Sequence, residues 1–379
     1  MAHVVEINRI EHLEPYRPHW RELLSETPSA NPFQTLEWLE AYWKHFGEGQ
    51  QLRVLLEIDS GELVGVVPLT VKRENTGAGS LRFLTYVLDY WGSFYGPIGR
   101  DPQRTLTAAL DYLRGTKRNW DVMELRWVGA FGTKVSTIEA AMADAGFSFC
   151  RTDPEVTSVI DLSGTWEEYL ASRTTKFRNN SRRWAKRVAK RGEVRYERFR
   201  PAGELAGDGD PRWDLYEQCL DIAASSWQNE SDTGTTLTHA GVAAYFRDMH
   251  EAAARTGCLD LNLLYINEEP VAFAYNYFFD GYVYGSRIGY KQEASRDGAG
   301  NVLYMKIIED CFARGDWLYD MGPGSVEAKR YLRSELCPIS RMTHFPKAAI
   351  FSVKSNLLRL ARRANYVGEE HRRLELSAE

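Results

Sequence analysis

The chain has 379 residues, too many for one ordinary core and suited to two domains of roughly 150 to 180 residues each. Hydrophobic residues make up 44% and charged residues 26%, a balance that excludes extensive disorder. A net charge of −5 argues against a general nucleic-acid binder and leaves room only for local basic patches.

The first half opens with a helical stretch over residues 14–24, and the turn Asn31-Pro32-Phe33 leads into a second helix carrying Trp38 and Trp43. Strands at 52–58 and 63–71 are joined by Asp59-Ser60-Gly61. A strand at 81–88, a helix at 103–113, a strand at 122–127 and a helix at 133–146 continue an alternating α/β pattern. The second half repeats this order: helices over 165–190, a strand at 194–199, a surface loop at 201–210 and helices at 212–227 and 240–256. The two halves read as a duplication of element order without a residue-level repeat.

The stretch from Cys258 to Tyr331 is the most informative. Strands at 259–266 and 271–279 flank the turn Asn267-Glu268-Glu269-Pro270, and Asp280-Gly281 is a strong hairpin signal before a third strand at 282–290. Arg296-Asp297-Gly298-Ala299-Gly300-Asn301 follows, then helical spacing over 302–312 and a short strand, Leu318-Tyr319-Asp320-Met321-Gly322. Strand, glycine turn and helix N-terminus together make an anion-binding geometry, because unpaired amides and the positive end of the helix dipole face whatever sits over the turn. Asp320, ending its strand at the cleft side of an α/β sheet, is the first choice for a general base. Tyr290 and Glu327 are alternatives.

Residues 176–191 hold eight cations and no acid: Lys176, Arg178, Arg182, Arg183, Lys186, Arg187, Lys190 and Arg191. Cations three and four apart on a helix repel. Either a polyanionic partner faces them or acids from elsewhere in the fold neutralise them. The absence of interleaved aromatics other than Phe177 and Trp184 disfavours nucleic acid. Residues 352–363 read as a basic amphipathic helix docked on its own domain.

Cys150, Cys219, Cys258, Cys311 and Cys337 have no CxxC spacing, and the eight histidines never stand at ligand spacing, so neither a disulfide framework nor a metal is expected. No Gly-x-Ser-x-Gly elbow or Walker loop occurs, which argues against those hydrolases and P-loop NTPases. With no cationic-plus-apolar leader at the start and no apolar run of 18 residues, the expectation is a cytoplasmic protein without a transmembrane segment.

The 258–331 segment resembles the acyl-CoA-binding core of the GNAT superfamily, and the whole chain resembles the two-domain, cellulose-biosynthesis-associated (CelD/BioF2-like) acetyltransferases, related to the Fem aminoacyltransferases. The likeness is carried by Asn31-Pro32-Phe33-Gln34-Thr35-Leu36-Glu37-Trp38, the basic helix, Gly300-Asn301-Val302-Leu303, Tyr319-Asp320-Met321-Gly322-Pro323-Gly324 and Lys329. The GNAT signature Gln/Arg-x-x-Gly-x-Gly/Ala is met with Ser295 in its first position and Arg296 one place late. The resemblance implies an α/β (α+β) tandem GNAT-like fold, two mixed sheets flanked by helices. It implies a domain over 1–155 without cofactor, a cofactor-bearing domain over 156–350, and a basic helix and tail over 351–379. The expected activity is transfer of an acyl group, acetyl or longer, from acyl-CoA to an amine on a sugar or polysaccharide precursor, without metal. Arg296, Gly298, Ala299, Gly300 and Asn301 would hold the cofactor. Trp227, Lys329, Arg182 and Arg183 would face the acceptor. Fem-like aminoacyl transfer from tRNA, or a non-catalytic binding role, are the alternatives.

Overall fold

The computed structural model describes residues 2–77, 79–87, 95–129, 131–226 and 236–346. The predicted helix at 352–363, Trp227 and the last residue of the predicted strand at 81–88 lie outside them.

The chain divides into two units, Met1–Val156 joined by the chain from Pro338 onward, and Thr157–Cys337. The first contains β1 (His3–Ile7), α1 (Arg17–Ser25), α2 (Leu36–Phe46), β2 (Gln51–Asp59), β3 (Glu62–Thr76), β4 (Gly79–Tyr86), α3 (Pro102–Gly115), β5 (Val122–Val128), α4 (Val135–Asp144) and the start of β6 (Cys150–Asp161). The second contains the end of β6, α5 (Trp166–Ser172), α6 (Thr175–Ala189), β7 (Val194–Phe199), α7 (Trp213–Ala224), α8 (Ala243–Thr256), β8 (Leu259–Ile266), β9 (Glu269–Phe279), β10 (Tyr282–Tyr290), α9 (Gln292–Ser295), α10 (Ala299–Arg314), β11 (Leu318–Pro323), α11 (Val326–Lys329) and the start of β12 (Glu335–His344).

In the first unit the strand order is β1-β2-β3-β4-β5-β12, and in the second it is β7-β8-β9-β10-β11-β6. Each sheet is antiparallel except for one parallel pair, β4–β5 in the first unit and β10–β11 in the second. A long helix bridges each parallel pair, α3 in one and α10 in the other, as parallel strands require. Each sheet is thus closed by a strand that the chain makes outside the run of the other five. β6 and β12 were absent from the sequence reading.

The structure supplies the residue-level repeat that the sequence hides. Opposite β6, the register of β11 jumps from Asp320↔Val159 to Pro323↔Thr157; opposite β12, that of β5 jumps from Leu125↔Met342 to Val128↔Ser340. Each bulge sets two residues against one and holds the second of the two at positive φ, Gly322 at +77° and Trp127 at +56°, and a further positive φ follows at Gly324 and Gly129. Leu125-Arg126-Trp127-Val128-Gly129 therefore corresponds to Asp320-Met321-Gly322-Pro323-Gly324.

The core of the second unit gathers Phe177 and Val188 of α6, Val302, Leu303, Ile307 and Ile308 of α10, and Leu264, Ala274 and Val283 of the meander. Beside it lies a buried ion network. Arg198 clamps Asp260 with two bonds of 2.7 Å, and Arg200 clamps Asp316 with two of 2.8 Å. Burial pushes the Asp260 carboxyl up, but the charges and bonds of Arg198 and Arg200 outweigh it and hold the group below its ordinary value.

Candidate functional site

β10 and β11 pair only at Tyr282↔Leu318, Val283↔Tyr319 and Tyr284↔Asp320. Beyond Tyr284, β10 drops Ser286 out of its register with β9 as a bulge, which bends that strand where pairing with β11 ends. Asp320 therefore sits where two parallel strands part. It is not the open strand end expected from sequence: it is 2% exposed, because the strand runs on to Pro323. Its Oδ1 accepts from the Thr157 hydroxyl and from the Gly322 amide at 2.9 Å, and Oδ2 takes no hydrogen bond among the described residues. Burial lifts the carboxyl to about 6, against the opposing pull of those two bonds and of the Lys329 charge.

Lys329, at the end of α11, is half-buried, and its Nζ donates to the carbonyls of Gly322 at 2.7 Å and Pro323 at 3.3 Å. Burial pulls its ammonium down to about 8, and Asp320 opposes that shift. Lys329 thus braces the backbone of the Asp320 bulge. Thr157 was not singled out from sequence, although the β-branched run Val156-Thr157-Ser158-Val159-Ile160 signals the strand that carries it. Burial pushes the Cys337 thiol up to about 12, with Glu335 and Asp320 adding to the shift, so no thiolate stands ready there as a nucleophile.

Gly298 caps α10 at φ +86°, with no side-chain cap. The short helix α9 stands between β10 and this turn, a correction to the direct strand-to-turn passage expected from sequence. The amide of Gly298 bonds Ser295 and its carbonyl receives the Val302 amide, while the amides of Ala299, Gly300 and Asn301 find no acceptor among the described residues. Two rings press on the glycines: a Cβ at Gly298 would meet Trp184 at 2.4 Å, and one at Gly300 would meet Tyr290 at 2.8 Å. Tyr290 is thereby placed at the start of α10.

Among the described residues, none of the remaining sequence candidates bonds or pairs with Asp320. Glu327 is an exposed acid paired with Arg330, so its carboxylate serves a surface ion pair and not the buried bulge. Arg296 is exposed at the end of α9. Arg182 and Arg183 are exposed on α6, which packs against α10 through Trp184. Among the described residues, no group of three or more His, Cys, Asp or Glu is placed to hold a metal ion. No helix among them is long and apolar enough to cross a membrane.

The counterpart positions in the first unit carry neither device. Leu125 stands where Asp320 stands, and the N-terminus of α3 is closed by the Asp101 side chain, which accepts the Arg104 amide at 3.1 Å. A cap carboxylate there both satisfies the amides and repels an anion.

Residues 175–330 match the family described as Acetyltransferase (GNAT) domain. No curated protein matches the chain. Among solved structures, FemX is similar over 94% of this chain and 99% of its own, at 14% identity and a TM-score of 0.59. The C-terminal DUF2156 domain of a putative lysylphosphatidylglycerol synthetase from Agrobacterium fabrum is similar over 91% of this chain and 96% of its own, at 10% identity and a TM-score of 0.52. A conserved protein of unknown function from Bacteroides thetaiotaomicron is similar over 91% of this chain and all of its own, at 13% identity and a TM-score of 0.52. At these identities the likeness speaks for the fold. Residues 175–330 are thus similar to the GNAT acetyltransferase domain, and the chain shares the fold of FemX.

Proposed function

We propose that the second unit transfers an acyl group, most simply acetyl, from acyl-CoA to a primary amine, with an amino sugar or saccharide precursor as the acceptor class. The observation that carries this reading is the buried Asp320 at the parting of β10 and β11, in the same unit as an uncapped, glycine-started α10. The amides of Ala299, Gly300 and Asn301 fit a pyrophosphate, and the positive φ of Gly298 starts the helix without a side-chain cap that would compete for them. The acyl donor supplies the thioester; the chain does the rest. Asp320 Oδ2 takes the proton that the attacking ammonium must lose, and its pKa of about 6 keeps it ionised at neutral pH. The backbone N–H of Ser286, set out of register by the bulge, polarises the thioester carbonyl, and Tyr290 returns a proton to the leaving thiolate.

A thiol-release assay of acetyl-CoA against amino sugars, amino acids and polyamines tests the activity. Acceptor-dependent thiol release supports the reading, and its absence across the panel with every acyl-CoA tried counts against it.

Asn301→Asp tests the cradle without disturbing the packed glycines. Asn301 is exposed at the third position of α10, where a carboxylate caps the free amides and stabilises the helix by roughly 0.3–1 kcal/mol. The same carboxylate occupies and repels the pyrophosphate position. The variant should melt no lower than the parent and bind acetyl-CoA at least about tenfold more weakly. Unchanged affinity by calorimetry would move the cofactor elsewhere.

A further inference from the structure

Among the described residues, most cations of the 176–191 stretch meet no acid. Arg178 turns back onto the carbonyls of Ala171 and Arg173, and Arg191 lies 3.4 Å from Asp297. Lys176, Arg182, Arg183, Lys186, Arg187 and Lys190 are exposed, and none makes an ion pair among the described residues. Among the described residues, no acid neutralises this face. At 100° per residue these six fall within an arc of roughly 140°, opposite Phe177, Trp184 and Val188, which anchor the helix. The face is a strip about 22 Å long, held at one end by the Arg191 bonds to the segment before α10.

Repulsion among these side chains acts at every pair three or four apart, and the rest of the chain is net acidic, so the strip is a local field and not a general excess of charge. Between the cations only small or polar side chains, Asn179, Ala185 and Ala189, are exposed, so the strip is flat. It offers no exposed aromatic for base stacking, because Phe177 is buried and Trp184 packs on Gly298. A flat, dense row of cations without a stacking platform fits a planar sheet of phosphates better than a nucleic-acid strand. We propose that the exposed face of α6 docks the protein on the surface of a bilayer containing anionic phospholipid. This goes beyond the acyl-transfer reading and stands whether or not that reading holds.

The test is co-sedimentation of the full chain with vesicles of equimolar phosphatidylcholine and phosphatidylglycerol, against vesicles of phosphatidylcholine alone. The parent should bind the mixed vesicles, ignore the neutral ones, and be released as salt rises. Each cation near an anionic surface contributes about fivefold, so the triple variant Lys186→Glu, Arg187→Glu, Lys190→Glu should lose at least about a hundredfold in partitioning. Lys186→Arg with Lys190→Arg, which keeps the charge, should bind as the parent does. Circular dichroism and thermal melting establish that the triple variant is folded; these side chains pack on nothing. Parental binding by a folded triple variant, equal binding to neutral vesicles, or binding to duplex RNA without binding to anionic vesicles would each overturn the proposal.

Discussion

Asp320→Asn should lower turnover by roughly a hundredfold or more while leaving the protein at least as stable as the parent at neutral pH. The asparagine carbonyl can accept the same bonds from Thr157 and the Gly322 amide, so the bulge is retained. What is lost is the unbonded Oδ2 that takes the proton. The stability change has the opposite sign because the carboxyl is raised from its ordinary value to about 6 in the fold. A raised carboxyl favours the folded form only while protonated, so its cost grows as pH climbs from about 4 to about 6 and is then complete, at up to about 3 kcal/mol. Part of this is offset in the variant, because the buried Lys329 ammonium loses a nearby anion. Melting temperatures of parent and variant should therefore converge near pH 4 and separate above pH 6, with the variant higher. The parent's kcat/KM should rise through an ionisation near 6, and that limb should vanish in the variant. Parental turnover in Asp320→Asn would remove the carboxylate from the chemistry.

Arg198→Met should be the most destabilising single change in the second unit, at about 3–5 kcal/mol, and should lower its melting temperature by roughly 10 °C or more. The Arg198 side chain is 2% exposed and the carboxylate it clamps is fully buried. Without it, Asp260 keeps only the Arg200 contact at 3.4 Å and the Asn262 amide at 3.2 Å. The double variant Arg198→Met with Asp260→Leu should recover much of the loss, because it leaves no buried charge unpaired. The held-down Asp260 pKa means that the parent's ion pair contributes above the ordinary carboxylate range and is lost as pH falls through the lower folded value. A loss below about 1 kcal/mol in Arg198→Met would show that the clamp contributes little.

The meander was legible because its signals are local. Alternating β-branched and aromatic residues and the Asp280-Gly281 turn set β8 at Leu259–Ile266 and β10 at Tyr282–Tyr290, as read from sequence. The start of α10 was read three residues late, because Val302 begins the apolar spacing whereas the positive φ of Gly298 begins the helix. β6 and β12 were missed because their partners, β11 and β5, lie far along the chain, so no hairpin turn marks them and the β-branched run Val156–Ile160 went unread. Trp127 conceals the duplication for a related reason. Its left-handed backbone is forced by the bulge between β5 and β12, where Gly322 does the same task at less strain in the second unit. The chemistry of Asp320 was half legible: its place on the strand that follows α10 could be read, but its burial depends on Thr157 and on a strand that continues past it.

Isothermal titration of acetyl-CoA into the full chain tests the central claim most directly. The account predicts one site in the second unit with a dissociation constant in the micromolar range, about −8 kcal/mol, as expected for a nucleotide pyrophosphate held on free helix amides. No heat of binding up to millimolar acetyl-CoA, under conditions where the protein is folded, would contradict it.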